Sequence, residues 1–146
     1  MRRVIPANKV NHDYEKVLSE FVSALKNRLG EYLLMVYLTG SYARGDANDN
    51  SDLDVFCIFS TINQYVLENV GHCARNTSIP YDLLEINTQC LSVDEYKSKI
   101  FEDWSEYAIA ELNSVLLYGE QLVKIENINE KIQLSYKKNL ANILIN

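Results

Sequence analysis

Two short apolar runs, separated by a polar segment, constrain the fold of this chain more than any other feature of its sequence. They span Leu33–Thr39 and Leu53–Phe59. Each run is shorter than a typical helix of about 11–12 residues, and the apolar residues within it are almost continuous. Such runs are typical of strands that are buried on both faces. The chain is therefore expected to build its core around a sheet that contains both runs.

Helical periodicity surrounds these two strands. Apolar side chains recur at helical spacing over Asp13–Leu29, and Gly30 follows as a stop signal. Further helices are predicted over residues 61–75, 92–101, 104–117 and 128–144, the first two beginning with the capping-box pairs Thr61/Gln64 and Ser92/Glu95. A third strand is predicted over Tyr81–Ile86, because Pro80 is tolerated where a strand begins. We therefore expect a single α/β domain over residues 1–146, with its core at about 13–118, a small mixed β-sheet flanked by helices, and helices at the C-terminal end.

Composition limits the partners and the compartment. The chain has 14 basic and 20 acidic side chains and a net charge of −6, so it lacks the basic footprint of a nucleic-acid-binding protein. Its longest apolar run is far shorter than the roughly 20 residues of a membrane span, and Met1–Pro6 carries no export signal. Three cysteines, odd in number and far apart, fit reduced thiols. A cytoplasmic protein that binds neither membrane nor nucleic acid is expected.

The polar segment between the two strands carries the chemistry. It reads GSYARGDANDNSDLD over residues 40–54. A Gly-Ser turn after a buried strand presents backbone N–H groups and a hydroxyl, and Gly40 lets an anionic group approach the main chain closely. Ten residues separate Ser41 from Asp52, enough for the chain to return beside the first strand. The turn is therefore a candidate phosphate site.

Asp52 and Asp54 are candidate ligands of a divalent cation. Residues two apart in a strand share one face, about 6.6 Å apart along the chain. Two solvated carboxylates at a strand edge are the ordinary alternative. Here the strand that follows is apolar, so the two carboxylates would repel each other unless a cation lay between them. Carboxylates beside a phosphate site are the ligands that Mg²⁺ prefers.

At this point the sequence resembles a known family. Gly40-Ser41, ten residues and then Asp52-Leu53-Asp54 resembles the signature of the DNA polymerase β nucleotidyltransferase superfamily, and the string GSYARGDANDNSDLDV is similar to its minimal nucleotidyltransferase (MNT) branch. The resemblance extends from about Leu33 to Tyr118 and includes PYDLLEI, similar to the third metal-ligand strand of the branch, and VLLYG, similar to the end of its core. It implies a nucleotidyltransferase fold.

The resemblance implies roles for individual residues. Gly40 and Ser41 would hold the terminal phosphates of ATP, and Asp52 and Asp54 would ligate two Mg²⁺ ions. Asp82 occupies the place of the third catalytic carboxylate of the branch, although Glu85 in the same predicted strand is an alternative. These acids are the predicted catalytic and metal-binding residues.

Arg44 leaves two interpretations open. Its position in GSYARG suggests a nucleotide-binding residue that pairs with a triphosphate oxygen. It would otherwise be a surface residue that orders the loop through Asp46 or Asp49.

The acceptor of the nucleotide is argued from size and from the resemblance. Relatives that modify antibiotics or RNA generally add a second domain, whereas this chain is 146 residues long. A protein acceptor therefore fits best, and the MNT branch is known for antitoxins that AMPylate a HEPN-domain RNase toxin. The alternative is a small-molecule nucleotidyltransferase of aminoglycoside or lincosamide type, which would need a dimer; a hetero-oligomer with the toxin is the other assembly expected. A non-catalytic binding module of the same fold is a third hypothesis.

Overall fold

The computed structural model describes residues 13–81, 84–102, 114–120 and 122, with the side chains of 100–102 left aside. The elements are α1 (Tyr14–Leu29), β1 (Leu33–Thr39), α2 (Gly40–Arg44), β2 (Leu53–Phe59), α3 (Gln64–Ser78), β3 (Ile86–Ser92), α4 (Val93–Glu102) and β4 (Val115–Gly119). A single 3₁₀ turn, Ile79–Tyr81, follows α3. In the described ranges, none of the helices is both long enough and apolar enough to cross a bilayer.

The four strands form one mixed sheet in the order β3-β2-β1-β4. β2 and β3 are parallel and are joined through the crossover helix α3, whereas β1 pairs antiparallel with both β2 and β4. The predicted bounds of β1 and β2 are confirmed, and so are α1 and the burial of both strands. The expected small mixed sheet flanked by helices is therefore the observed architecture.

The two faces of the sheet pack against different partners. Helices α1 and α3 cover one face, and we call it the helical face; its core includes Phe21, Val36 and Val55. The opposite face carries a smaller cluster in which the rings of Tyr37 and Phe56 stack at 5.0 Å between centroids. Because side chains alternate along a strand, Thr39 and Asp54 lie on the same face as this stacked pair.

The third strand lies later in the chain than predicted. Of the predicted strand Tyr81–Ile86, Tyr81 belongs to the 3₁₀ turn Ile79–Tyr81, residues 84 and 85 precede β3, and β3 begins only at Ile86. Pro80 is consistent with either structure, since a residue without an N–H is tolerated both at the start of a strand and in a first helical turn. β3 instead follows a period-two pattern in which Asn87 and Gln89 are exposed and their neighbours are partly buried.

The helix predicted over 104–117 is wrong at its C-terminal end. Val115–Gly119 forms β4, which pairs with β1 at the edge of the described sheet. Gly119 has a φ of +83°, and a Cβ there would meet the backbone carbonyl of Leu34, so the register of this pair depends on glycine. Residues 104–113 and the predicted helix 128–144 lie outside the described residues.

The N-cap of α3 is also corrected. The sequence predicts a capping box at Thr61 and Gln64, but the helix begins at Gln64 and its cap is Asn63, whose Oδ1 accepts from the Val66 N–H at 2.9 Å. Ser92 and Glu95 do form the predicted reciprocal box at the start of α4, with N···O distances of 3.2 and 3.3 Å.

The cap assignment gives a stability prediction. We expect Asn63→Ala to lower the free energy of unfolding by about 1 kcal/mol, because the Val66 N–H loses its side-chain acceptor. Thr61→Ala is the matched control and should stay within about 0.5 kcal/mol, since Thr61 is exposed and lies before the cap. Urea unfolding of both variants measures the difference. If Thr61→Ala were the more destabilising variant, Thr61 would be the N-cap of α3, as the sequence predicts.

Candidate active site

Asp54 lies where three strands place polar side chains side by side. Thr39 of β1 and Asn87 of β3 are its register partners on either side, and partners in adjacent strands project to the same face of a sheet. Asn87 Nδ2 donates a hydrogen bond to Asp54 Oδ1 at 3.2 Å. The three residues, Thr39, Asp54 and Asn87, form a polar row across the end of the sheet.

Gly40 brings the first residue of α2 against this row. It has a φ of +73°, in the left-handed region that favours glycine. A Cβ at this position would collide with Asp54 Oδ2, closer than van der Waals contact allows. Because Thr39 pairs with Asp54, the Gly-Ser turn and the Asp-Leu-Asp motif meet in space. The absence of a side chain at Gly40 makes room for the carboxylate.

The backbone after Ser41 is held by a compact set of turns. The Ser41 carbonyl oxygen accepts from the N–H groups of Gly45 at 2.9 Å and Asp46 at 3.0 Å, which ends α2. Asn48 then orders the segment before β2, since its Oδ1 accepts from Asn50 N at 2.8 Å and its N–H donates to Ser51 Oγ at 2.9 Å. The segment therefore consists of a five-residue helix followed by a hydrogen-bonded loop.

Arg44 lies at the C-terminal end of α2. Its Nε contacts Asp46 Oδ2 at 3.3 Å, and the two side chains are 51% and 63% exposed. An exposed pair of this kind is held weakly, because water and salt screen it. The contact is the loop-ordering interaction anticipated from the sequence, made to Asp46, and the guanidinium stays within reach of solvent.

The other acids predicted for the site are Asp52, Asp82 and its alternative Glu85. Asp52 lies one residue before β2 and is partly buried. Glu85 is exposed and precedes β3, and its backbone carbonyl accepts from the Leu53 N–H at 2.9 Å. Asp82 lies outside the described residues. Glu85 does not belong to β3, so the expectation that it lies in the third strand is not met.

Asn87 is the site residue that sequence reasoning missed. The strand was predicted to end at Ile86, so the residue that contacts Asp54 fell outside it. The available signal was the alternation of Asn87 and Gln89 with partly buried Ile86, Thr88 and Cys90. Within the described ranges, no group of three His, Cys, Asp or Glu side chains could hold a metal ion.

A cavity of about 560 Å³ lies away from this row. Side chains of α1, β1, α2 and β4 line it, among them Leu18, Leu38, Tyr42 and Tyr118. Leu38 belongs to the helical face, whereas Asp54 lies on the opposite face. Tyr42 is 8% exposed and its ring is 4.9 Å from that of Tyr14. Tyr42 therefore packs as part of the core.

The three cysteines of the chain are Cys57, Cys73 and Cys90. All three are free thiols, as expected. Cys57 and Cys90 are register partners across β2 and β3. A hydrogen bond between their side chains, together with burial, raises the pKa of the Cys57 thiol well above its usual value, and the same bond lowers the pKa of Cys90. Cys57 is therefore a protonated, apolar part of the core.

Comparisons with known proteins find a matching family and similar folds. A family profile described as a nucleotidyltransferase domain matches residues 18–140. Over 54 residues the chain is 39% identical to MJ0604 of Methanocaldococcus jannaschii, which is named as a candidate protein adenylyltransferase. That match covers 37% of this chain and 54% of the relative, so the chain spans about half of the relative's length.

Two solved structures share the fold. One is a toxin–antitoxin complex with AMP-PNP, which matches with a TM-score of 0.53 and 16% identity over 87% of this chain and 98% of the other. The second is a mutant of the toxin–antitoxin complex MntA-HpeT, with a TM-score of 0.50 and 14% identity over 88% and 94% of the two chains. Identities this low show a shared fold and nothing further.

Proposed function

Because the chain belongs to the nucleotidyltransferase domain family, we propose that it transfers the AMP group of ATP to a hydroxyl of a protein. The contact of Gly40 with the Asp54 carboxylate carries this proposal, since it joins the phosphate turn to the strand that bears the acids. The name of the relative MJ0604 supports a protein acceptor over a small molecule.

The partner we propose is a HEPN-type RNase toxin, with this chain as its antitoxin. Two structures of similar fold are toxin–antitoxin complexes, and one contains the nucleotide analogue AMP-PNP. The HEPN identity rests on the resemblance to the MNT branch. A protein acceptor brings its own binding surface, so the chain itself needs to hold only the nucleotide and the attacking hydroxyl.

Asp52, Asp54 and Asp82 would hold two Mg²⁺ ions. Asp54 and the partly buried Asp52 supply carboxylate oxygens at the start of β2, which are the oxygen ligands that Mg²⁺ takes together with phosphates. Asp82 would be the third acid. When bound, the ions would make the acceptor hydroxyl more acidic and neutralise charge on the phosphates.

The chain's own residues would orient the reaction. Backbone N–H groups at Gly40 and Ser41 would bind the terminal phosphates, and Gly40 would let them lie close to the main chain. Arg44 would leave Asp46 for a phosphate oxygen, because a charge-assisted contact to phosphate is stronger than an exposed ion pair. Asp82 would also accept the proton of the attacking hydroxyl. The hydroxyl oxygen then bonds to the α-phosphorus in line as pyrophosphate leaves.

The decisive experiment is a transfer assay on the proposed partner. We expect the purified chain, incubated with ATP, Mg²⁺ and the protein encoded by the adjacent reading frame, to add the mass of an adenylyl group to that protein. Intact-mass spectrometry measures the product, and tandem mass spectrometry locates the modified hydroxyl. An aminoglycoside and a lincosamide, incubated in parallel, test the small-molecule alternative.

The outcomes separate the hypotheses. An unmodified partner beside a modified drug would replace the protein acceptor by the small-molecule one. No transfer to any acceptor, with ATP bound normally, would favour the non-catalytic module. Loss of toxin RNase activity after modification would support the antitoxin role, because the acceptor's function must change if modification neutralises it.

A further inference from the structure

The amide of Asn87 is the neighbour of the Asp54 carboxylate on the β3 side. The two residues are register partners in parallel strands, and Nδ2 of Asn87 lies 3.2 Å from Asp54 Oδ1. On its other side, Asp54 Oδ2 lies against the backbone of Gly40. The carboxylate is therefore bounded on both sides, by an amide donor and by the turn that begins α2.

We infer that Asn87 is a positioning residue that fixes the Asp54 carboxylate for a divalent cation. This inference rests on the proposed function, because it assigns a role within the same site. A carboxylate is free to rotate about its last bond, and a donor on one oxygen restricts that rotation. An amide does so without adding charge, so Asp54 keeps the full negative charge that a cation needs.

The exposure of the pair argues against a role in stability. Asn87 is exposed and Asp54 is only partly buried, so the hydrogen bond competes with water. A solvent-exposed bond of this kind contributes little to the stability of the fold. Hydrogen bonds to metal ligands have larger effects on the metal, where losing the partner typically weakens affinity or activity by about 10–100-fold. Cation affinity is therefore the property that should respond.

Gln89 provides a matched control. It lies two residues further along β3, on the same face, and is also exposed. Its register partner is Phe56, so it does not neighbour the carboxylate in the sheet. Gln89→Ala therefore removes an amide of the same kind from the same strand face.

The test is Mn²⁺ binding to the full chain without nucleotide, followed by electron paramagnetic resonance of the free ion. We expect Asn87→Ala and the near-isosteric Asn87→Leu to weaken binding about 10-fold or more. Gln89→Ala should bind as tightly as the unaltered chain. In urea unfolding, all three variants should have midpoints close to that of the unaltered chain. With the partner and ATP present, the Mg²⁺ concentration for half-maximal transfer should rise only for the Asn87 variants.

The possible failures are distinguishable. If both Asn87 variants fold and bind Mn²⁺ within twofold of the unaltered chain, Asn87 does not position the carboxylate and the proposed function stands. If Gln89→Ala weakens binding equally, the effect belongs to the strand and not to the contact, which also overturns the inference. If the unaltered chain binds no Mn²⁺, the proposed metal site and this inference fall together.

Discussion

Asp54→Asn should abolish nucleotidyl transfer, with a loss of at least about 10³-fold in rate and little change in stability. A divalent cation contributes several kcal/mol to the transition state, and each 1.36 kcal/mol corresponds to a factor of about ten in rate. The substitution removes the charge that would hold the proposed cation. It keeps an Oδ1 that can still accept from Asn87 Nδ2, so the local structure should persist.

Initial rates of transfer at saturating ATP, together with urea unfolding, measure this prediction. Asp49→Asn is the matched control, because it removes a carboxylate from the same segment before β2 without touching the Asp-Leu-Asp motif. We expect it to retain nearly full activity. If the Asp54→Asn variant kept more than a tenth of the original rate, Asp54 would not be a catalytic residue, and the reaction would have to take place away from β2.

Gly40→Ala should lose about 100-fold or more in activity through a purely steric change. The added Cβ would collide with Asp54 Oδ2, so the carboxylate must move. Displacement of a catalytic group by about 1 Å can cost about 100-fold in rate. The same substitution strains the backbone, because a φ of +73° costs an L-residue about 1–2 kcal/mol.

Gly45→Ala separates the steric effect from the backbone strain. Gly45 also has a positive φ, +84°, but a Cβ there would meet nothing within 4 Å. Both variants should therefore lose similar stability, about 1–2 kcal/mol, whereas only Gly40→Ala should lose activity and Mn²⁺ affinity. Equal activity losses in the two variants would show that loop strain, and not the displaced carboxylate, controls the reaction.

Local sequence patterns correctly predicted β1, β2, α1 and the start of α4. β1 and β2 are almost continuous apolar runs, and α1 has an apolar stripe at helical spacing. The order of apolar and polar residues was therefore enough to predict their positions. The Ser92/Glu95 box marked the start of α4 for the same reason, since a capping box is a contact between residues three apart. Such contacts do not depend on the rest of the fold.

The sequence-based predictions were wrong for strands whose position depends on the strand they pair with. The residues of Val115–Gly119 are compatible with a helix, but the segment forms a strand because it pairs with β1. Tyr81–Ile86 is apolar enough for a strand, yet pairing with β2 begins only at Ile86. Backbone hydrogen bonds of a sheet join residues distant in sequence, so pattern alone leaves their register open.

The sequence by itself determined the chemistry of the site: a glycine and a hydroxyl after one buried strand, and two acids at the start of the next, in a spacing that resembles nucleotidyltransferases. Only the tertiary structure decided which atoms meet. The antiparallel register of β1 and β2 sets Gly40 against Asp54, and the parallel register of β3 brings in Asn87 from 33 positions away. The reason is physical: residue types are local properties of the chain, whereas contact between strands depends on how the whole sheet pairs.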